Sequence, residues 1–144
     1  MFPASAIAQG SDSPCSLLTV PEVSQALGVT VLPGHQIGSG SSRSCVFAAT
    51  PKYDVGERQI VVITTPPALF DSSHRPNGPS AVTNATVPGA EAYFLSFRGR
   101  TTIHVRKNGK AFEVYMNPGH AGHETPAQVQ AVETSLAAKA AGRV

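Results

Sequence analysis

The chain contains only two cysteines, Cys15 and Cys45, and a segment with strong helix-start chemistry follows the first of them. An even, minimal cysteine count together with an export-like N-terminus predicts one structural disulfide. Closing a loop of about 30 residues would stabilise the fold by about 3 to 4 kcal/mol in the chain-entropy model. Because such bonds persist in oxidising compartments, the pair also predicts an extracytoplasmic location: the periplasm, the cell wall or the medium.

A chain of 144 residues is long enough for one domain and short for two. We predict a single domain over residues 15–144, preceded over residues 1–14 by a flexible terminus or the remnant of an export signal. Ala6-Ile7-Ala8 has the small-x-small form that signal peptidase recognises, and an ordinary Ala-rich terminus is the alternative. No stretch approaches the roughly 20 apolar residues that span a bilayer, so no transmembrane segment is expected.

The composition argues against nucleic acid as a partner. Charged residues make up 14% of the chain and the formal net charge is +2. Apart from a small concentration between positions 98 and 110, the basic residues are scattered along the sequence. Because charged residues are few, the surface must be filled largely by Ser, Thr, Asn, Gln and Gly, which suits a secreted protein.

Two helices are predicted from complete start signals. Thr19 is a natural N-cap and Glu22 completes a Thr-x-x-Glu capping box, which predicts a short helix from about Val20 to Leu27. Near the end of the chain, Thr125 and Gln128 form a second box. The helix that follows carries apolar residues at helical spacing, namely Val129, Val132, Leu136 and Ala140.

Five strands are predicted, over about 44–50, 58–65, 92–97, 101–107 and 110–116. Asn108–Gly109 joins the last two as a two-residue turn, because both residues accept the positive φ of a type I′ turn. This loop length determines the register. Val105 then lies opposite Phe112 on the core face, whereas His104 lies opposite Glu113 on the other face.

The segments between these elements are rich in Gly, Ser and Pro. Residues 29–43 and 71–80 are predicted to be loops, and a short helical turn is expected from Pro66 to Phe70. The absence of repeated strand-helix-strand crossover units predicts an α+β domain. We expect a single antiparallel sheet of about five strands with the C-terminal helix packed on one face. The other face is either covered by the first helix or open.

Five side chains on the less apolar face form the candidate binding site: Thr102, His104, Arg106, Glu113 and Tyr115. His104 and Glu113 are residue types that can perform acid and base chemistry, but an exposed ion pair is the simpler interpretation. No nucleophile elbow or phosphate loop is present in the sequence, and neither cysteine resembles a catalytic thiol. We therefore predict no catalytic residues and no cofactor.

His120, His123 and Glu124 place three potential metal ligands within five residues. A zinc site needs three or four ligands with supporting hydrogen bonds. The carboxylate of Glu124 lies just before the predicted helix, where it would instead interact favourably with the positive end of the helix dipole. We interpret the segment as a solvated polar loop and predict no metal site.

Four segments together resemble a recurrent pattern in small secreted proteins and lipoproteins of actinobacteria and other bacteria, families of unknown function. They are residues 15–23 (CSLLTVPEV), 26–28 (ALG), 45–47 (CVF) and 87–93 (VPGAEAY). The resemblance implies export, a Cys15–Cys45 bond and a compact α+β domain, and it supplies no catalytic residues. The pattern around Cys15 departs from the lipid-attachment motif of the lipoprotein members.

The function predicted from these observations is that of an exported, non-enzymatic binding or interaction domain. Its partner would be a small ligand, an envelope component or another protein. The alternative is a small extracytoplasmic hydrolase or metal-binding protein that uses His104 and Glu113 or His120 and His123. A protein secreted into a host or a competitor is a third interpretation.

Overall fold

A computed structural model describes residues 13–38, 40–53, 56–75, 80–120 and 122–144. The Ala6-Ile7-Ala8 motif lies outside these residues. The helices in the described part are α1 (Val20–Leu27), α2 (Pro67–Ser73) and α3 (Pro126–Ala141). The strands are β1 (His35–Ile37), β2 (Arg43–Ala48), β3 (Gln59–Thr65), β4 (Ser80–Asn84), β5 (Glu91–Phe97), β6 (Arg100–Lys107) and β7 (Lys110–Asn117).

The described strands form one antiparallel sheet in the order β1-β2-β3-β7-β6-β5-β4. This confirms the α+β class and the single antiparallel sheet. The expected number of about five strands was wrong, because the sheet has seven. Both additional strands lie at the edges, and β1 falls in the segment predicted to be a loop at 29–43. These edge strands are held by backbone pairing to β2 and β5 and carry few buried side chains, so they lack the apolar alternation that identifies a strand.

Both predicted capping boxes are present. The backbone N–H of Thr19 donates to the Glu22 carboxylate at 2.9 Å, and the Glu22 N–H donates to the Thr19 hydroxyl at 3.3 Å. Thr125 and Gln128 repeat the arrangement at 2.8 and 3.2 Å. Gly28 ends α1 with φ of 74°, a conformation that costs glycine little. Both helices therefore begin where local backbone chemistry places them.

Helices α1 and α3 pack on the same face of the sheet, over the main hydrophobic core. The first helix therefore does not cover the opposite, more polar face. On α3 the buried positions are Glu133, Leu136, Ala137, Ala140 and Ala141, while Val129 and Val132 are partly buried at the edge of the core. The glutamate is the one ionisable side chain among these buried helix positions.

The predicted disulfide joins Cys15, in a short 3-10 turn, to Cys45 on β2. Cys45 is fully buried, and Gly34 packs directly against its sulfur. A Cβ at position 34 would collide with that sulfur, so the close approach requires glycine. The bond thus attaches the start of the described chain to a buried position of the main core.

Helix α2 covers part of the opposite face, where Phe70 packs with Tyr93 and Ala111. The Tyr93 hydroxyl donates to the Phe70 carbonyl at 2.8 Å, which links the helix to β5. This helix extends to Ser73, three residues beyond the predicted turn and into the segment predicted to be a loop. No helix in the described part of the chain is long and apolar enough to cross a membrane.

Candidate functional site

The register of the β6–β7 hairpin is the one expected from its two-residue turn. His104 pairs with Glu113 and Val105 pairs with Phe112, and Asn108 has the positive φ of 54° that the turn requires. The five candidate binding residues therefore occupy one face of the sheet, opposite the main core. The structure nevertheless separates them into three different environments.

The first environment contains His104 and Glu113. The His104 ring is 5% exposed and stacks on Tyr93, with ring centroids 4.8 Å apart, and the other side of Tyr93 stacks on His74 at 4.2 Å. Nδ1 of His104 lies 3.6 Å from Oε2 of Glu113, too far for a hydrogen bond. His104 is therefore buried and Glu113 partly buried on the face that α2 covers, rather than exposed on an open face.

Burial controls the charge of this pair. Desolvation, with a smaller contribution from His74, lowers the pKa of His104 from 6.5 to about 4. Desolvation also raises the pKa of Glu113 from 4.5 to about 7. Between these two values both side chains are neutral, so they form a polar pair without an ionic bond. Neither group lines the larger cavity of the structure.

The second environment is that of Arg106. Its guanidinium donates to both carboxylate oxygens of Glu91, at 3.1 and 3.0 Å, and to Asp71 of α2 at 2.9 Å. Its Cζ also lies 4.5 Å from the centroid of the Phe70 ring. Because Glu91 and Asp71 both accept hydrogen bonds from its guanidinium, Arg106 links α2 to strands β5 and β6.

The third environment is a cavity of about 570 Å³ at the end of the sheet next to the β5–β6 hairpin, and Thr102 and Tyr115 both line it. Its apolar lining comprises Leu95, Phe97, Tyr115, Met116, Pro118, Pro126 and Val129. The remaining lining residues are Gly99, Arg100, Thr101, Thr102, Asn117, Gly119, His120 and Glu124. Of the predicted binding residues, the structure therefore brings two to a cavity.

The cavity lies where β6 and β7 separate. Their paired register extends from Lys107–Lys110 to Ile103–Val114 and includes neither Thr102 nor Thr101. Beyond this last pair, the carboxylate of Glu133 on α3 bonds to both strands. The Thr101 hydroxyl donates to Oε1 of Glu133 at 2.8 Å, and the Met116 N–H donates to Oε2 at 3.0 Å. Glu133 therefore satisfies a strand N–H that has no backbone partner across the gap.

Glu133 is a structural carboxyl that the sequence prediction missed. Burial raises its pKa from 4.5 to about 7, although its two hydrogen bonds oppose the shift. A signal was present in the sequence: position 133 is four residues after Val129 and three before Leu136, so it lies in the predicted apolar stripe of the helix. A glutamate in that stripe needs buried hydrogen-bond partners.

The other candidate residues, in the segment before α3, do not converge as metal ligands. The Arg58 guanidinium holds the Glu124 carboxylate through two hydrogen bonds and also donates to the Leu27 carbonyl at 2.8 Å. This pairing lowers the pKa of Glu124. His120 lines the cavity, whereas His123 is exposed and does not. Across the described ranges, no three His, Cys, Asp or Glu side chains are grouped as a metal site.

A second cavity, of about 340 Å³, lies at the opposite end of the β6–β7 hairpin. Its lining includes two cationic residues, Arg43 and Lys110, together with Phe112 and the Pro66–Pro67 segment. None of the five predicted binding residues lines it.

No protein-family model matches the chain, and neither a curated protein nor a solved structure matches it.

Proposed function

We propose that this protein is an exported, non-enzymatic binding domain for a small amphipathic molecule, and that the 570 Å³ cavity beside the β5–β6 hairpin is its binding site. The observation that carries the proposal is the cavity itself. Its volume is within the range of about 300 to 1,000 Å³ that is typical of small-molecule sites. Its lining combines seven apolar side chains with six polar or charged ones, so it offers contacts to both parts of an amphipathic molecule.

The exposure of the apolar lining supports a ligand. Phe97 is 46% exposed at the rim, and Tyr115 is half-buried with its hydroxyl end in a partly desolvated position. Covering exposed aromatic surface with another apolar surface is favourable, and such surface beside a cavity is typical of a binding site. A bound molecule at this position would remove that surface from water.

The extracytoplasmic location is supported by the disulfide. Both cysteines of the chain are used in one bond between the N-terminal turn and the core. Structural disulfides are rare in reducing compartments. The resemblance to small secreted proteins is in agreement with this location.

The alternative enzymatic function has less support. An acid–base mechanism needs the reacting groups within reach of a bound substrate. His104 is buried and Glu113 is partly buried on the face that α2 covers, and neither lines the cavity. The metal-binding alternative needs a further ligand beside His120, and the nearby Glu124 is already bound by Arg58. Binding without chemistry is therefore the function that the geometry supports best.

The absence of tryptophan from the chain allows a direct test. Phe97→Trp places a single fluorophore at the rim of the cavity. Leu69→Trp places one at a side chain of similar exposure on α2, away from the cavity, and is the matched control. The probes are three amphiphiles that each carry an eight-carbon chain: octan-1-ol, octanoate and octyltrimethylammonium.

We expect at least one probe to shift the fluorescence emission of the Phe97→Trp protein saturably, with a dissociation constant of about 1 mM or lower. The emission of the Leu69→Trp protein should not change. Isothermal titration of the unsubstituted chain should give the same affinity. If no probe gives a saturable change at position 97, or if position 69 responds equally, the cavity is not a site for small amphipathic molecules.

A further inference from the structure

We infer that the cavity selects an organic anion: a carboxylate head held by Arg100, with an apolar body against Phe97 and Tyr115. This inference rests on the proposed function and specifies its ligand class. Three independent features of the cavity support it, namely an uncommitted cation, the neutralisation of its acidic groups and the position of its apolar wall.

The cation is Arg100, the first residue of β6, which is exposed and lines the cavity. Its positive charge acts on the Tyr115 hydroxyl, where it partly opposes the effect of burial on the pKa of Tyr115. Both residues line the cavity. Arg58, Arg106 and Arg143 each form an ion pair with a carboxylate, but Arg100 has no carboxylate partner among the residues that the structure describes.

The acidic groups nearby are already neutralised or shielded. Glu124 lines the cavity, but its carboxylate is held by Arg58. Glu133 is fully buried behind Thr101 and Met116 and does not line the cavity. The local charge facing a ligand is therefore positive, which favours an anion over a cation.

The apolar wall is adjacent to this cation. Phe97 is directly opposite Arg100 in the β5–β6 register, so ring and guanidinium flank the same hairpin turn. A second cation, Arg98, lies with its Cζ 5.1 Å from the centroid of the Phe97 ring. A ligand with its apolar part on Phe97 would thus bring its head group to the guanidinium. The planar fork of arginine matches a carboxylate by two parallel hydrogen bonds.

The test compares the three probes, octan-1-ol, octanoate and octyltrimethylammonium, on the Phe97→Trp protein. Octanoate should bind about fivefold or more tightly than octan-1-ol, and octyltrimethylammonium should bind most weakly. Raising the salt concentration to about 0.5 M should weaken octanoate binding and leave octan-1-ol binding unchanged, because only the former has a screened ionic contact.

Arg100→Gln in the same background should weaken octanoate about fivefold and change octan-1-ol by less than about twofold. Lys110→Gln is the matched control. It removes one positive charge at the other end of the β6–β7 hairpin, roughly 20 Å from Arg100 at about 3.3 Å per residue. It should change neither the affinity for octanoate nor that for octan-1-ol. Arg100 is exposed, so the variant should fold; circular dichroism and the midpoint of thermal unfolding check this.

The outcomes separate the two proposals. Equal binding of all three probes overturns the inference and leaves the proposed function standing. Absence of binding by every probe overturns both. If Lys110→Gln abolishes octanoate binding while Arg100→Gln does not, the anion occupies the second cavity and the assignment to Arg100 is wrong.

Discussion

Glu133 provides the sharpest test of the energetics described above, through the substitution Glu133→Gln. The carboxyl is completely buried, and its pKa in the folded protein is raised from 4.5 to about 7. The folded state therefore binds a proton more tightly than the unfolded state does. It follows that the contribution of this group to stability is greatest below pH 4.5 and decreases as the pH rises through 7.

The magnitude follows from the size of the shift. At about 1.4 kcal/mol per pH unit, a rise from 4.5 to about 7 corresponds to about 3 kcal/mol of lost stability above about pH 8. Glutamine cannot ionise but can keep both hydrogen bonds. Its carbonyl accepts from the Met116 N–H, and its amide donates to the Thr101 hydroxyl oxygen.

Urea unfolding at about pH 5 and about pH 8.5, with the disulfide intact, measures the effect. We expect Glu133→Gln to match the parent near pH 5 and to be more stable by about 2 to 3 kcal/mol near pH 8.5. The pKa of Glu113 is raised as well. Because Glu113 is present in both proteins, its contribution to the stability difference cancels. Parallel pH profiles for the two proteins, or equal destabilisation of the variant at both pH values, would refute the reasoning.

Three further predictions concern other parts of the molecule. Reduction of the Cys15–Cys45 bond should lower the free energy of unfolding by about 3 to 4 kcal/mol, measured by urea titration with and without dithiothreitol; a loss below about 1 kcal/mol would contradict the loop-closure argument. His104 should titrate near pH 4 when its ring protons are followed by NMR, and a midpoint near 6.5 would mean that the ring is not desolvated. The Arg143 guanidinium lowers the pKa of Glu22 to about 2, so Glu22→Gln, which keeps the capping box, should cost up to about 1 kcal/mol near neutral pH. That cost should vanish as the pH falls from 4.5 to 2, because the parent then loses its carboxylate, and a constant cost would exclude the ion pair as its source.

The arrangement of the candidate site explains why the predicted residues behave differently despite sharing one face. Helix α2 covers the end of the sheet that contains Arg106 and His104 but leaves Thr102 and Tyr115 at the other end. Covered groups are used for internal contacts, as in the ion pairs of Arg106. Uncovered groups remain at a cavity, where a ligand can reach them.

Local signals in the sequence determined the elements that depend on contacts within a few residues. The box of Thr19 and Glu22 placed the start of α1, and the Asn108–Gly109 turn placed His104 opposite Glu113. Capping and two-residue turns are specified by neighbouring backbone groups, so no distant contact is needed to read them. The Cys15–Cys45 bond was also predictable, because two cysteines allow only one intramolecular pairing.

Only the tertiary structure decided the features that depend on distant partners. The edge strands β1 and β4 form because neighbouring strands offer unpaired backbone groups, whatever their own apolar pattern. The burial of His104 depends on where α2 packs, and the hydrogen bonds of Glu133 to Thr101 and Met116 depend on where α3 packs. Burial and convergence are properties of several elements together, so a pattern within one element cannot specify them.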